Sequence, residues 1–188
     1  MDFNAYRAAG GHAGAEGNPR VSAVTTPLVL RPAVEADATR LAEIWNREVL
    51  ETLATTDTQP RTVGVLRTWL TERSARYPVV VAATEREVAG FAALTPYRTK
   101  PAFHQTAEDS IYVDRAWRAR GVGRRLLAHL LELGTTAGHR SVLARITALN
   151  RASRRLHESL GFRLVGIEED VACKFGQWLD VALYQRRL

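Results

Sequence analysis

The chain has a single cysteine, Cys173, among 188 residues. An intrachain disulfide framework is therefore excluded, and a reducing compartment is indicated. Cys173 has no histidine or acidic neighbour in sequence, so it reads as a half-buried thiol rather than a nucleophile. The five histidines show no His-x-x-x-His spacing and no Cys-x-x-Cys pair exists, so no metal site is expected. No apolar run reaches the length of a membrane span, and the N-terminus lacks the charged-then-apolar order of a signal peptide. The expectation is a cytoplasmic protein with no membrane partner. Two nucleotide-binding fingerprints are missing as well. No three-glycine dinucleotide motif opens a βαβ unit, and no Gly-Lys-Ser or Gly-Lys-Thr marks a P-loop.

What remains is ordinary globular material. Hydrophobic residues make up 46% of the chain, enough for the core of one domain. The net charge of +6 raises nucleic acid as a partner, but the basic residues are spread over most segments and form no dedicated face. No nucleic-acid partner is expected.

Residues 1–27 are rich in glycine and alanine without a sustained apolar period, which predicts a flexible tail. A domain spanning residues 28–188 follows. Leu28–Arg31 reads as a strand. Ala38, Leu41, Ile44, Trp45 and Val49 share one helical face, with Asp37 at its start, and Val63, Leu66, Trp69 and Leu70 form a second. Val79–Thr84 and Val88–Leu94 read as antiparallel strands joined at Glu85-Arg86-Glu87. After the aromatic loop Pro96–Gln105 comes the strand Ser110-Ile111-Tyr112-Val113. Val122, Leu126, Leu127, Leu130 and Leu131 recur at helical spacing behind it. Val142–Ile146 is a buried strand, and Asn150–Leu160 a short helix ended by Gly161. The last two strands run from Phe162 to about Glu168 and from Trp178 to Gln185. The order is β-α-α-β-β-β-α-β-α-β-β, an α/β arrangement of a mixed sheet flanked by helices.

Between the Ile111-Tyr112-Val113 strand and the leucine-rich helix lies Arg118-Ala119-Arg120-Gly121-Val122-Gly123. A strand, a glycine turn and a helix N-terminus in that order present unpaired N–H groups and the positive end of the helix dipole. Gly121 and Gly123 expose bare backbone to which a diphosphate could bind, and Arg118, Arg120, Arg124 and Arg125 add charge. These six residues alone leave open an arginine-rich turn that caps a surface helix.

The turn matches the Arg/Gln-x-x-Gly-x-Gly/Ala signature that holds the coenzyme A pyrophosphate in the GNAT superfamily of N-acetyltransferases. From about Leu28 onward the sequence resembles the phosphinothricin acetyltransferase branch, which also acylates methionine sulfoximine and sulfone. The resemblance rests on Leu30-Arg31-Pro32-Ala33, Tyr77-Pro78-Val79, Pro96-Tyr97-Arg98, and Thr106-Ala107-Glu108-Asp109-Ser110-Ile111-Tyr112-Val113. It continues through the glycine turn, Leu156-His157-Glu158-Ser159-Leu160-Gly161-Phe162 and Lys174-Phe175-Gly176-Gln177-Trp178-Leu179-Asp180.

The resemblance implies the GNAT fold, a mostly antiparallel sheet, with acetyl-CoA as co-substrate and a small-molecule amine as acceptor. It implies Glu108 as base and His157, where the superfamily usually has tyrosine, as the acid for the leaving thiolate. Backbone groups of Ile111, Tyr112 and Val113 would bond the pantetheine arm. Ala119, Val122 and the rest of the turn would take the phosphates, and Asn150 would be a helix cap and ligand contact. Arg98, Pro101, Ala102, Phe103 and Thr56 would line the acceptor pocket, with Phe103 standing for a usual tyrosine and Thr56 for a common phenylalanine. Homodimers and resistance to antibiotics or herbicides are common in such a family. Open alternatives are another acceptor (a polyamine, an aminoglycoside or a protein amine) and a non-catalytic acyl-CoA sensor.

Overall fold

The computed structural model describes residues 27–188. Apart from Pro27, the expected tail lies outside the described residues. The elements are β1 (Val29–Pro32), α1 (Ala38–Glu51), α2 (Val63–Thr71), β2 (Val79–Ala83), β3 (Val88–Pro96), β4 (Thr106–Val113), α3 (Val122–Thr136), β5 (Ser141–Thr147), α4 (Arg151–Ser159), β6 (Arg163–Lys174) and β7 (Gln177–Arg187). This is the order expected from the sequence. The strands form one seven-stranded sheet in the order β1-β2-β3-β4-β5-β7-β6. Every neighbouring pair is antiparallel except β4 and β5.

The sheet carries a core on each face, and strand alternation assigns residues to them. Val80, Ala82 and Leu94 pack with Leu126, Leu127 and Leu130 of α3. Val79, Val81 and Phe91 pack with Leu41, Trp45 and Leu66 of α1 and α2. Because β2 is buried along its whole length, it reads in sequence as an unbroken apolar run. Local chemistry sets the helix starts. Thr62 caps α2 by accepting from Val65 N–H at 3.2 Å, as a threonine N-cap should. Asp37 makes no such cap. Its carboxylate instead grips the Arg31 guanidinium in bidentate fashion, at 2.7 and 2.8 Å, tying β1 to α1.

Two expectations need correction. β6 continues past Glu168 to Lys174, because register shifts at Leu164/Gly166 and Glu168/Ala172 let it bulge and keep pairing with β7. A bulge of this kind interrupts the period-2 pattern that would have signalled it. Cys173 is exposed, not half-buried, since β6 is the edge strand and has β7 as its one neighbour in the sheet.

What positions the site is the way β4 leaves β5. The two share three residue pairs, Thr106↔Ser141, Ala107↔Val142 and Glu108↔Leu143, and pair no further. Beyond that point β4 stays with β3 as far as Gly90↔Val113, and β5 stays with β7 as far as Thr147↔Val181. A wedge-shaped gap therefore opens in the middle of the sheet. Gly90 allows β3 to follow β4 closely, since a Cβ there would lie 2.7 Å from the Tyr112 carbonyl oxygen and 3.1 Å from Val113 Cα. Gly90→Ala is expected to destabilise the protein by about 1–3 kcal/mol through overpacking. Urea denaturation checks this, and an unchanged midpoint would contradict it.

Candidate active site

The gap opens into a cleft of about 540 Å³, within the usual range for ligand sites. Its spine is the free side of β4. The Asp114 N–H donates to Ala89 O of β3, so alternation turns the N–H groups of Ile111 and Val113 the other way, into the gap. The side chains alternate too. Tyr112 joins the α1–α2 core while Ile111 and Val113 join the α3 core. Glu108 shares the Tyr112 face, and Asp109 the opposite one.

At one end of the cleft stands the glycine turn. Gly121 has φ +76°, and a Cβ there would meet nothing within 4 Å, so its glycine is a backbone requirement. At Gly123 the requirement is space, since a Cβ would lie 3.2 Å from Leu156 Cδ2. Ala119 is also left-handed, at φ 58°, the kind of backbone from which nests of main-chain N–H groups are built. No side chain caps α3, which leaves the first N–H groups of that helix available.

Arg118 is engaged through two of its guanidinium nitrogens. Its Nη2 lies 2.6 Å from Glu48 Oε1, and its Nε donates to Val113 O at 3.1 Å. Glu48 is buried on α1, so this arginine ties the turn to the helix. Arg120 sits over the Trp117 ring, 5.4 Å from its centroid, and Arg124 donates to Ser159. Neither pairs with an acid among the described residues.

Glu108 lies where β4 and β5 part, half-buried. Burial raises its carboxyl above the usual carboxylate range; Arg145 partly offsets this, and Asp109 and Glu168 add to it. The Arg145 Nε is 4.0 Å from Glu108 Oε2, and its Nη2 is 3.9 Å from Glu168 Oε1.

The wall opposite is aromatic. Trp45 stacks on Tyr112 at 4.9 Å between centroids and meets Trp69 edge-on at 5.9 Å. The Arg61 guanidinium lies 3.7 Å above the Trp45 ring, a cation–π contact. Trp45 Nε1 donates to Asp57 at 2.9 Å. Asn46 holds the Arg61 main chain from both sides, at 2.8 Å each. Lys174, 2% exposed, donates to the Thr55 and Glu48 carbonyls at 2.9 and 3.3 Å. These bonds fix the segment 52–61 against α1, which is a structural use of Lys174.

On the other face, His157 is 1% exposed. Its Nδ1 lies 2.7 Å from the Ser153 carbonyl and its Nε2 3.0 Å from Asp109 Oδ2. Burial alone would lower this imidazole; Asp109 and the Ser153 carbonyl outweigh that and hold it above its ordinary value. Asn150 caps α4, accepting from Ser153 N–H at 3.1 Å, and also lines the cleft.

The cleft thus brings together Glu108, His157, Asn150 and Thr56, the β4 residues Ile111, Tyr112 and Val113, and much of the turn, including Arg118, Ala119, Gly121, Val122 and Gly123. It does not bring in Arg98, Pro101, Ala102 or Phe103. These sit on the loop between β3 and β4, where Arg98 lies over the Tyr97 and Phe103 rings, at 5.0 and 5.7 Å. Sequence reasoning missed Asp57, Arg61, Asp109 and Arg145. Arg145 carried a signal, a charge in the middle of the apolar strand Val142–Ile146. Asp109 adjoins Glu108, but its partner is 48 residues away.

Residues 39–162 match the family model described as acetyltransferase (GNAT) family. Phosphinothricin N-acetyltransferase of Streptomyces coelicolor is 38% identical over 168 residues, covering 87% of this chain and 98% of its own length. The L-methionine sulfoximine/L-methionine sulfone acetyltransferase of Salmonella typhimurium is 36% identical over 86% of this chain and 95% of its own. Among solved structures, a GNAT superfamily phosphinothricin acetyltransferase from Sinorhizobium meliloti in complex with AcCoA matches with a TM-score of 0.81. It shares 36% identity, covering 86% of this chain and 88% of that one. With its splayed sheet, its open helix N-terminus and these matches, the chain belongs to the acetyltransferase (GNAT) family.

Proposed function

We propose that this protein transfers the acetyl group of acetyl-CoA to the primary amine of a small amino acid or analogue, of the phosphinothricin or methionine sulfoximine type. Transfer is direct, in a ternary complex, and the single cysteine fits a cytoplasmic setting. The observation that carries this reading is the gap between β4 and β5, with an anion nest at one end and a raised carboxyl at the other.

The residues present fit acetyl-CoA. Uncapped N–H groups at the start of α3 suit a diphosphate, and the outward N–H groups of Ile111 and Val113 suit the amides and thioester of the pantetheine arm, as an added strand would pair. When bound, acetyl-CoA supplies an activated carbonyl. The chain's own part begins at Glu108, which takes a proton from the acceptor ammonium directly or through one water. The freed amine lone pair forms the C–N bond and the C–S bond breaks. The Val113 N–H steadies the charge that grows on the carbonyl oxygen, and His157 is the proposed source of the proton for the thiolate. Arg61 and Arg145, both lining the cleft, supply guanidinium groups for a substrate carboxylate. Thr56 and the aromatic wall shape the side-chain pocket. Arg98, Pro101, Ala102 and Phe103 lie on the loop between β3 and β4, outside the cleft lining, and take no part in this reading.

A panel of amines assayed by thiol release tests the acceptor class. The highest kcat/KM is expected for amino-acid analogues with a free carboxylate, and turnover confined to polyamines, aminoglycosides or protein amines would overturn the reading. Glu108→Gln is expected to lower kcat by about 10²–10⁴-fold while leaving acetyl-CoA affinity unchanged by calorimetry. The pH profile has a definite sign. A base works when deprotonated, so activity falls as pH drops through the raised Glu108 value. Arg145→Gln removes the charge that lowers it, so the acid limb is expected to move to higher pH, by an amount reduced by partial solvent screening. Gly121→Val forces a β-branched residue into left-handed backbone, at about 1–2 kcal/mol or more, so the acetyl-CoA Kd is expected to rise roughly tenfold.

A further inference from the structure

The acetyltransferase reading leaves one buried acid without a role. Asp109 follows Glu108 on β4, yet its side chain is on the opposite face of the sheet, 1% exposed. Its Oδ2 lies 3.0 Å from His157 Nε2. Its Oδ1 is buried and has no hydrogen-bond partner among the described residues. The carboxylate therefore depends on His157 alone for a donor. A buried carboxylate without a paired donor is strongly disfavoured, so the contact favours hydrogen on Nε2. The other ring nitrogen is settled separately. Nδ1 lies 2.7 Å from the Ser153 carbonyl, which can only accept, so Nδ1 carries hydrogen too. Both residues line the cleft.

We infer that Asp109 is a positioning residue for the acetyl transfer: its carboxylate holds the His157 imidazole with hydrogen on both ring nitrogens, ready to protonate the leaving thiolate. This rests on the acetyltransferase reading. As the C–S bond breaks, its electron pair stays on sulfur and takes the Nε2 proton, the thiolate replacing Asp109 as its acceptor; His157 is left neutral with hydrogen on Nδ1, and solvent returns the Nε2 proton after product leaves. The nitrogen loses two protons, one from the ammonium to Glu108 and one as the amide forms; both pass to solvent and one returns through His157, so ammonium and thioester give amide, thiol and one released proton.

The surroundings leave this pair largely to itself. On β4 the nearest charge is Glu108, across the sheet. On α4, Arg154 donates to the Tyr184 hydroxyl of β7, which in turn donates to Glu158. The Phe162 ring meets the imidazole edge-on at 4.9 Å. β5 offers this face Val142, Ala144 and Ile146, and α3 offers Leu126, Leu127 and Leu130, all apolar. The His157 pull toward its charged form accordingly comes from Asp109 and the Ser153 carbonyl.

The test combines imidazole NMR with pH–rate profiles of wild type and Asp109→Asn. In the wild type, His157 is expected to titrate above the ordinary ~6.5 for histidine. In Asp109→Asn the burial remains and the carboxylate charge is gone, so it is expected to titrate at or below that value. The alkaline limb of turnover, where the acid loses its proton, is then expected to move down by about one unit or more. The acid limb moves down as well, because Asp109 is one of the charges that raise Glu108. A merely structural tie between α4 and β4 would lower thermal stability, move the acid limb through the lost charge alone and leave the alkaline limb in place, and that result overturns the inference. If the variant fails to fold, the wild-type titration decides: His157 titrating at or below ~6.5 overturns it. Acetyl-CoA calorimetry and the amine panel report on the acetyltransferase reading independently of the imidazole signal.

Discussion

The site depends on a parallel strand pair that stops early. β4 and β5 share three residue pairs, while each keeps seven with its outer neighbour, β3 or β7. Each strand is thus held by one partner and released by the other. An unzipped pair leaves main-chain donors facing a cleft, where their hydrogen bonding must come from water or a ligand. Recognition then rests on backbone, and the side chains of Ile111 and Val113 remain free to pack into the core.

The same geometry separates the proposed acid from the proposed base. Glu108 and Asp109 are consecutive, yet strand alternation sends one toward the aromatic wall and the other into the α3–α4 face. Their environments differ accordingly. Burial with partial relief by Arg145 keeps the Glu108 carboxyl above the usual range, whereas a carboxylate partner keeps His157 above its own. Groups proposed for opposite proton duties are tuned by different causes on different sides of one sheet, so a single cleft could hold both at neutral pH.

The parts legible in sequence were those governed by local rules. The leucine spacing of α3, the unbroken run of β2 and the glycines at 121 and 123 each obey a short-range constraint that the structure also obeys. Block order carries position, and the cleft lining includes Glu108 and the β4 residues that it singles out. Parts that depend on contacts across the chain were not legible. Arg118 reads as a phosphate ligand, and sequence gives no sign that its guanidinium also binds Glu48, 70 residues away. Trp45 sat on a helical face and read as core, although it also bears Arg61 and Asp57 into the cleft wall. The far half of β6 was hidden by Glu168, Glu169 and Asp170, whose charges suggest a loop while a bulge keeps the strand paired.

Residue-resolved hydrogen exchange on the free protein and on the protein with acetyl-CoA tests the central claim most directly. New protection is expected at the Ile111 and Val113 amides and in the first turn of α3, from Val122 to Arg124. Binding that protects other amides and leaves these exchanging as before would contradict it.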